Sequence, residues 1–145
     1  EYEHGPNHRE VAVTLVNLGN AYRNLGDPSK KRDLLERALV IKETEYGPKH
    51  KEVALVLTNL GDAYGLTGEP ERARDLLERS LGIQEKECGP KHTAVAATLV
   101  TLGITYGLLG DEVRKKELLD RARAIDEKPK KKGAKSARGD AKSAR

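Results

Sequence analysis

Hydrophobic residues recur along this chain at steps of three and four positions, in stripes separated by breaks that contain glycine and proline. The first stripe runs from about Arg9 to Leu25, and its members are Val11, Leu15, Leu18, Tyr22 and Leu25. This spacing places apolar side chains on one face of an α-helix. A second stripe continues to about Glu45 with Leu34, Leu35, Ala38, Leu39 and Ile41. We therefore expect two amphipathic helices, each with its apolar face turned inward.

Glycine and proline mark where these helices end. Gly26 follows the first stripe, and glycine readily adopts the left-handed conformation that terminates a helix. Asp27 and Pro28 then supply an N-cap acid and a proline suited to the first helical turn. Glu69 and Pro70 repeat that arrangement. After the second stripe, a Gly-Pro pair ends the helix because proline cannot continue its hydrogen bonds.

The whole unit repeats at an interval of 42 residues. The motif "GPNH" at 5–8 returns as "GPKH" at 47–50 and 89–92, and blocks 5–46 and 47–88 are identical at 24 of 42 positions. Self-similarity at such a period is typical of solenoids, since one unit cannot bury its own apolar face. We predict an all-α solenoid. In it, 1–8 end a preceding, truncated repeat, 9–127 form three helical-hairpin repeats, and 128–145 form a basic, disordered tail.

Each predicted first helix carries an interior glycine, which costs about 1 kcal/mol relative to alanine. These glycines are Gly19, Gly61 and Gly103, and the matching small residues of the second helices are Ala38, Ser80 and Ala122. We expect the two sets to face each other, so that paired helices cross closely.

The composition limits the class of protein. Phe, Trp and Met are absent, and 34% of the residues are charged. The longest uncharged run, residues 93–110, contains glycine, threonine and tyrosine throughout, so it predicts an amphipathic helix and no membrane span. No signal-peptide pattern opens the chain, and the single cysteine, Cys88, fits a reducing compartment. We expect an intracellular, cytoplasmic protein, with a nuclear location as the alternative.

Residues that could carry chemistry are sparse. His8, His50 and His92 stand at equivalent loop positions. Neighbouring helices pack about 8–10 Å apart, so such loops cannot share a zinc ion, whose bonds to nitrogen are about 2 Å. Carboxylates lie in charged runs of the second helices, where a solvated face is the simple interpretation. We therefore expect no enzyme activity, no cofactor and no metal site.

The repeat closely resembles the tetratricopeptide repeat. Residues 57–81 read "L..LG.AY...G" and then "A..LLERSL", which matches that family's pattern of large and small residues at Leu57, Leu60, Gly61, Tyr64, Ala73, Leu77 and Ser80. The usual unit has about 34 residues. The 42-residue form, with its Gly-Pro-x-His loop, is similar to the repeats of kinesin light chain. Departures are Lys31 and Lys115 in place of alanine, and Leu15, Leu57 and Leu99 in place of tryptophan.

The resemblance implies a right-handed superhelix whose first helices line a concave groove for a partner protein or peptide. The groove positions are Val13, Val16, Asn17, Asn20, Arg23 and Asn24 in the first repeat, Leu55, Thr58, Asn59, Asp62 and Leu66 in the second, and Ala97, Val100, Thr101, Ile104 and Leu108 in the third. Asn17 and Asn59 occupy the slot at which such repeats often hold an asparagine that bonds the backbone of a bound peptide. An amide suits this because it both donates and accepts. The alternative is that these asparagines cap or bridge neighbouring helices.

One ligand class of the family is disfavoured here. Members that clamp a C-terminal carboxylate carry several Lys or Arg residues on the first helices. The corresponding slots of this chain hold Val16, Ala97 and Thr101. Arg23 remains as a single cation for an acidic peptide.

The amino-terminal end resembles a cut array. Residues 1–8, "EYEHGPNH", match "ETEYGPKH" at the end of a second helix. Val11, Leu15 and Leu18 would then lack the neighbour that covers them in a longer array. We expect the isolated chain to self-associate as a homo-oligomer or to exchange domains.

The carboxyl-terminal tail is basic. Residues 128–145 carry eight Lys or Arg and one Asp, whereas the remaining residues carry 19 basic and 22 acidic side chains. Such tails bind nucleic acid non-specifically by releasing counterions, and the candidate contacts are Lys130, Lys131, Lys132, Lys135, Arg138, Lys142 and Arg145. Three functions thus stay open: partner binding in the groove, accessory nucleic-acid binding through the tail, and a structural piece of a longer array without a ligand of its own.

Overall fold

The computed structural model consists of three antiparallel helical hairpins stacked in chain order. It describes the backbone of residues 6–143 and the side chains of residues 9–127. The helices are α1 (Pro6–Asn24), α2 (Pro28–Tyr46), α3 (Lys51–Leu66), α4 (Pro70–Cys88), α5 (Thr93–Leu108) and α6 (Glu112–Ser143). Contacts are most extensive within each hairpin, and α2 packs on α3 as α4 packs on α5. The predicted all-α solenoid of helical hairpins is confirmed.

The two ends of the chain differ from the predicted boundaries. α1 begins at Pro6, ahead of the predicted Arg9, and α6 continues to Ser143, into the segment for which the sequence predicts disorder. The side chains of 1–8 and 128–145 lie outside the described residues. The truncated repeat at 1–8 and the basic tail at 128–145 therefore stay predictions.

The predicted helix breaks occur at the glycines. Gly26, Gly68 and Gly110 adopt φ values of 84°, 86° and 86°, which lie in the region that favours glycine. The predicted N-cap is present at Asp27, whose Oδ1 accepts a hydrogen bond from Lys30 N at 3.1 Å. Glu69 also stands at the predicted N-cap position, but its side chain makes no cap hydrogen bond. The longer Glu69 side chain instead pairs with Arg32 and Arg72.

The histidines of the Gly-Pro-x-His motif have a capping role that the sequence analysis missed. His50 Nδ1 accepts a hydrogen bond from Glu52 N at 3.0 Å, and His92 Nδ1 accepts one from Ala94 N at 3.0 Å. Each imidazole therefore satisfies one of the unpaired donors that every helix start leaves open. The motif ends one helix and begins the next.

The interior glycines face leucines and not the predicted small residues. A Cβ built on Gly61 would lie 2.6 Å from Leu77 Cγ, and one on Gly103 would lie 3.1 Å from Leu119 Cγ. The predicted partner Ser80 is directed elsewhere, and its hydroxyl donates to Ala54 O at 2.7 Å. Close helix crossing thus comes from a leucine inserted over a glycine, because a small residue opposite a large one fills space better than two small ones.

The core follows the repeat, except at the first helix. Val53 and Leu60 are 0% and 1% exposed, whereas the equivalent Val11 and Leu18 are 42% and 44% exposed. The predicted stripe of α1 is therefore buried mainly at Leu15, which belongs to the core cluster that also contains Leu34 and Leu35. Tyr22 is partly buried against the core, whereas Val11 and Leu18 are exposed because no second helix precedes α1 among the described residues. No helix in the described part of the chain is both long and apolar enough to cross a membrane.

Candidate ligand-binding groove

The first helices of the three repeats carry all of the predicted groove residues. α1, α3 and α5 supply one side of the stack, and α3 contacts α5 directly. Along this side the structure forms two cavities, one polar and one mainly apolar.

The polar cavity has a volume of about 430 Å³. Eight predicted groove residues line it, namely Asn20, Arg23, Asn24, Thr58, Asn59, Asp62, Ala97 and Thr101. The ninth lining residue, Lys31, comes from α2 and was not predicted as a groove residue. The structure thus brings parts of all three first helices around one space.

A buried lysine shapes the charge of this cavity. Lys31 is 2% exposed, and its Nζ lies 2.9 Å from Asp62 Oδ2. Arg23 Nε lies 3.0 Å from the same oxygen. One carboxylate therefore pairs with two cations, and the cluster carries a net charge of about +1.

The sequence contained a signal for Lys31 that the prediction did not use. Lys31 stands where the family pattern and the second repeat have alanine, and that alanine, Ala73, is fully buried. A lysine in a buried alanine slot must extend its stem to a partner or to water. In this protein it reaches through to the groove side.

The apolar cavity is smaller, at about 110 Å³. The predicted residues Val13, Val16, Asn17 and Leu55 line it together with Val56, Lys42 and Glu52. Lys42 and Glu52 were not predicted as groove residues, and they form an ion pair with 2.9 Å between Nζ and Oε1. This space has the size of one aliphatic side chain.

The two asparagines of the predicted backbone-binding slot differ from their threonine neighbour in hydrogen bonding. Within the described residues, the side chains of Asn17 and Asn59 make no hydrogen bond to the protein. Thr58 Oγ1, by contrast, lies 2.7 Å from Ser80 Oγ and 2.9 Å from Thr98 Oγ1. The amides are thus available to a ligand, whereas the Thr58 hydroxyl is used between repeats.

The remaining predicted residues lie outside both cavities. Leu66, Val100, Ile104 and Leu108 belong to α3 and α5 and are exposed. They extend the apolar surface along the stack without enclosing a space.

A cavity of similar size also lies on the side of the second helices. It measures about 410 Å³ and lies between Pro48 and Gly82. Across residues 9–127 no three His, Cys, Asp or Glu side chains are grouped so that they could hold a metal ion.

Comparison with known proteins gives one family and several similar folds. A model of the tetratricopeptide repeat matches residues 10–86. Nearly identical TPR-like repeats assigned to a kinesin light chain of Podosopora anserina superpose with a TM-score of 0.67 and 27% identity, over 81% of this chain and 56% of that chain. BtubC (BKLC) from P. vanneervenii superposes with a TM-score of 0.72 and 27% identity, over 80% and 46%. No curated protein shows a significant match, and this chain spans about half the length of the solved chains that it resembles.

Proposed function

We propose that this chain, which belongs to the tetratricopeptide repeat family, binds a segment of a partner protein in the groove formed by α1, α3 and α5. Tetratricopeptide repeats are in general non-catalytic scaffolds for protein interactions.

The free amides of Asn17 and Asn59 carry this proposal. They occupy equivalent positions on neighbouring first helices, 42 residues apart, and have no protein partner among the described residues. Asn17 is exposed, whereas Asn59 is partly buried, and a partly buried amide without a partner is costly unless water or a ligand satisfies it. An extended peptide offers one donor and one acceptor per residue, so its backbone matches a row of amides.

The two cavities specify the side chains that the partner would place beside this row. The 110 Å³ cavity between Val13, Val16 and Leu55 accepts one aliphatic side chain. The 430 Å³ cavity carries polar groups and the excess positive charge of the Arg23, Lys31 and Asp62 cluster. We therefore propose a partner segment with an aliphatic anchor and with polar or acidic residues on its other side.

A display library of random peptides, selected on the full chain, tests this function. Selected peptides should lose roughly 5- to 150-fold in affinity for a variant with both Asn17→Ala and Asn59→Ala, since two amide hydrogen bonds of about 0.5–1.5 kcal/mol each are removed. The matched control is Thr44→Ala on the exposed side of α2, which should bind as the unmodified chain does. Equal binding to all three proteins would place the peptide site elsewhere.

A second candidate function is non-specific binding of nucleic acid through the tail. Its support is the charge of residues 128–145, where eight Lys or Arg accompany one Asp. Such binding weakens steeply as salt rises, because it depends on counterion release. Apolar contacts in the groove do not share that dependence, so a salt titration of each binding activity separates the two functions.

We also propose that the isolated chain self-associates through its exposed first helix. Val11 and Leu18 are the exposed counterparts of fully buried residues in the second repeat. Two such faces would cover each other. Sedimentation at increasing protein concentration measures this self-association. If the unmodified chain stays monomeric at high concentration, the proposal is wrong.

A further inference from the structure

The contacts between successive repeats define what kind of helix each first helix accepts. On α3 the residues Val53, Val56, Leu60, Ala63 and Tyr64 are at most 5% exposed, and α2 is the preceding helix that packs on α3. α4 packs on α5 in the same way. The structure therefore contains the same helix-on-helix interface twice.

Polar contacts recur at the same places in both copies of this interface. The Tyr64 hydroxyl donates to Glu36 and the Tyr106 hydroxyl donates to Glu78. Arg79 Nη2 donates to Glu43 Oε2 at 2.6 Å, and Arg121 donates to Glu85.

Each covering helix thus supplies two glutamates seven positions apart. Seven positions are about two helical turns, so both carboxylates lie on one side of the helix. The shared sequence of the two covering helices is "LLER.L.I.E" at 34–43 and 76–85. The leucines and isoleucine provide the apolar part of the interface, and the glutamates provide the polar ends.

The first hairpin presents the complementary surface without a covering helix. Val11, Thr14, Leu18 and Ala21 are exposed, at the positions of Val53, Val56, Leu60 and Ala63. Tyr22 and Arg37 stand at the positions of Tyr64 and Arg79. Neither makes a hydrogen bond or an ion pair with the described residues. Below, the N-terminal face means Val11, Thr14, Leu18, Ala21, Tyr22 and Arg37.

We propose that the N-terminal face is a docking surface for one α-helix of the type "LLER.L.I.E", with its first glutamate on the Tyr22 hydroxyl and its second on the Arg37 guanidinium. The partner is a further helical hairpin of this repeat type that carries both glutamates. Continuity with the two internal interfaces supports this choice, because the same apolar slots and the same two donors are repeated. The site is independent of the groove, which lies on another side of α1.

The last hairpin of a second copy fits the N-terminal face less well, so the self-association proposed above would pair two N-terminal faces. This last hairpin reads "LLDRARAIDE" at 118–127, with Arg123 at the position of Leu81 and Asp126 at the position of Gln84. Leu81 and Gln84 are 9% and 2% exposed, so stacking would bury two charges. Asp126 would also meet Glu10, since the equivalent slots hold the Lys42–Glu52 ion pair in the first internal interface. Burying unpaired like charges is costly.

Binding of a labelled helical peptide to the full chain tests the proposal. The probe is residues 69–88 with Cys88→Ser and a side-chain crosslink on its exposed face, because a helix of this length is only marginally stable alone. We expect saturable 1:1 binding by fluorescence anisotropy and a loss of self-association as the face is covered. The N17A and N59A groove variant should bind the probe unchanged.

Three comparisons decide the outcome. Arg37→Glu should weaken binding about tenfold or more, and the probe with Glu85→Lys should restore it, which a misfolded variant could not do. A probe built on residues 112–127 should bind more weakly than the first. If the probe with Glu85→Lys binds the unmodified chain as well as the original probe does, the proposed occupant is wrong. It is also wrong if the probe of residues 112–127 binds best. Failure of this binding leaves the groove function untouched, since that function is read out by the selected peptides.

Discussion

Lys31 Nζ and Asp62 Oδ2 lie 2.9 Å apart and join the second helix of the first repeat to the first helix of the second repeat. The lysine is buried, whereas the carboxylate is partly open to the groove and also receives Arg23. The ion pair therefore lies both in an interface between repeats and in the wall of the proposed binding site. Because of this double position, we expect Lys31 and Asp62 to contribute unequally to stability.

Removing the carboxylate should cost more stability than removing the lysine. Asp62→Ala leaves a buried ammonium without a carboxylate, which we expect to cost about 2–4 kcal/mol because an uncompensated buried charge is expensive. Lys31→Met keeps the apolar stem and leaves Asp62 with Arg23, so its cost should stay below about 1 kcal/mol. Urea unfolding followed by circular dichroism measures both. The same cost for the two variants would show that Lys31 does not depend on Asp62.

Two interior glycines should respond to alanine with opposite signs. A Cβ on Gly61 would lie 2.6 Å from Leu77 Cγ, whereas a Cβ on Gly82 would meet nothing within 4 Å. Gly61→Ala should destabilise by about 1–3 kcal/mol through overpacking. Gly82→Ala should stabilise by up to about 1 kcal/mol, the difference in helix propensity. Thermal unfolding of the two variants provides the comparison, and each serves as the control for the other.

The repeat allowed the architecture to be predicted from the sequence, whereas the contacts between helices could not be predicted. The period, the helix pairs and the glycine breaks at Gly26, Gly68 and Gly110 follow from local rules, and all appear in the structure. The prediction that Gly61 faces Ser80 was wrong, because spacing along one helix does not show which side chain of the next helix lies opposite. The groove residues could be assigned to helices. The part played by Lys31 depends on where a long side chain ends in three dimensions.

The interface between the second and third repeats contains a polar cluster that should be energetically coupled. Thr98 Oγ1 donates to Gln84 Oε1 at 2.6 Å and lies 2.9 Å from Thr58 Oγ1. Thr98→Val leaves the buried Gln84 carbonyl without its donor, and we expect a loss of about 1–3 kcal/mol. Adding Gln84→Leu should recover part of that loss. A double-mutant cycle by urea unfolding measures the coupling, and strictly additive costs would mean that the bond contributes nothing.

The tyrosines between repeats should make the fold sensitive to high pH. Burial, and then the hydrogen bond to Glu36, raise the pKa of Tyr64 above its ordinary value. The hydrogen bond to Glu78, and then burial, raise the pKa of Tyr106 in the same direction. A raised pKa in the folded state means that the stabilisation is complete below the ordinary tyrosine pKa of about 10 and is lost as pH rises through the folded value.

The variant Tyr64→Phe with Tyr106→Phe should therefore lose less stability than the unmodified chain as the pH rises above the ordinary tyrosine pKa of about 10. At neutral pH it should be less stable, because two hydrogen bonds are gone. Urea midpoints measured as the pH rises, read as the difference between the two proteins, remove the common effect of lysine deprotonation. Parallel curves would assign the alkaline transition to groups other than these tyrosines.

The histidine caps should behave as capping residues and not as loop residues without a role. His50 Nδ1 accepts from Glu52 N at 3.0 Å, and its ring stacks on Tyr46 with the ring centroids 4.6 Å apart. His92 makes the same cap bond to Ala94 N, but the position of Tyr46 is occupied there by Cys88. Replacement by alanine removes the cap in both cases, at about 1 kcal/mol. His50→Ala also removes the ring contact, so it should cost more than His92→Ala.

Asparagine keeps an oxygen acceptor suited to an N-cap, and His92→Asn should therefore unfold close to the urea midpoint of the unmodified chain. If His92→Asn and His92→Ala unfold at the same midpoint, the hydrogen bond from Ala94 N does not stabilise α5.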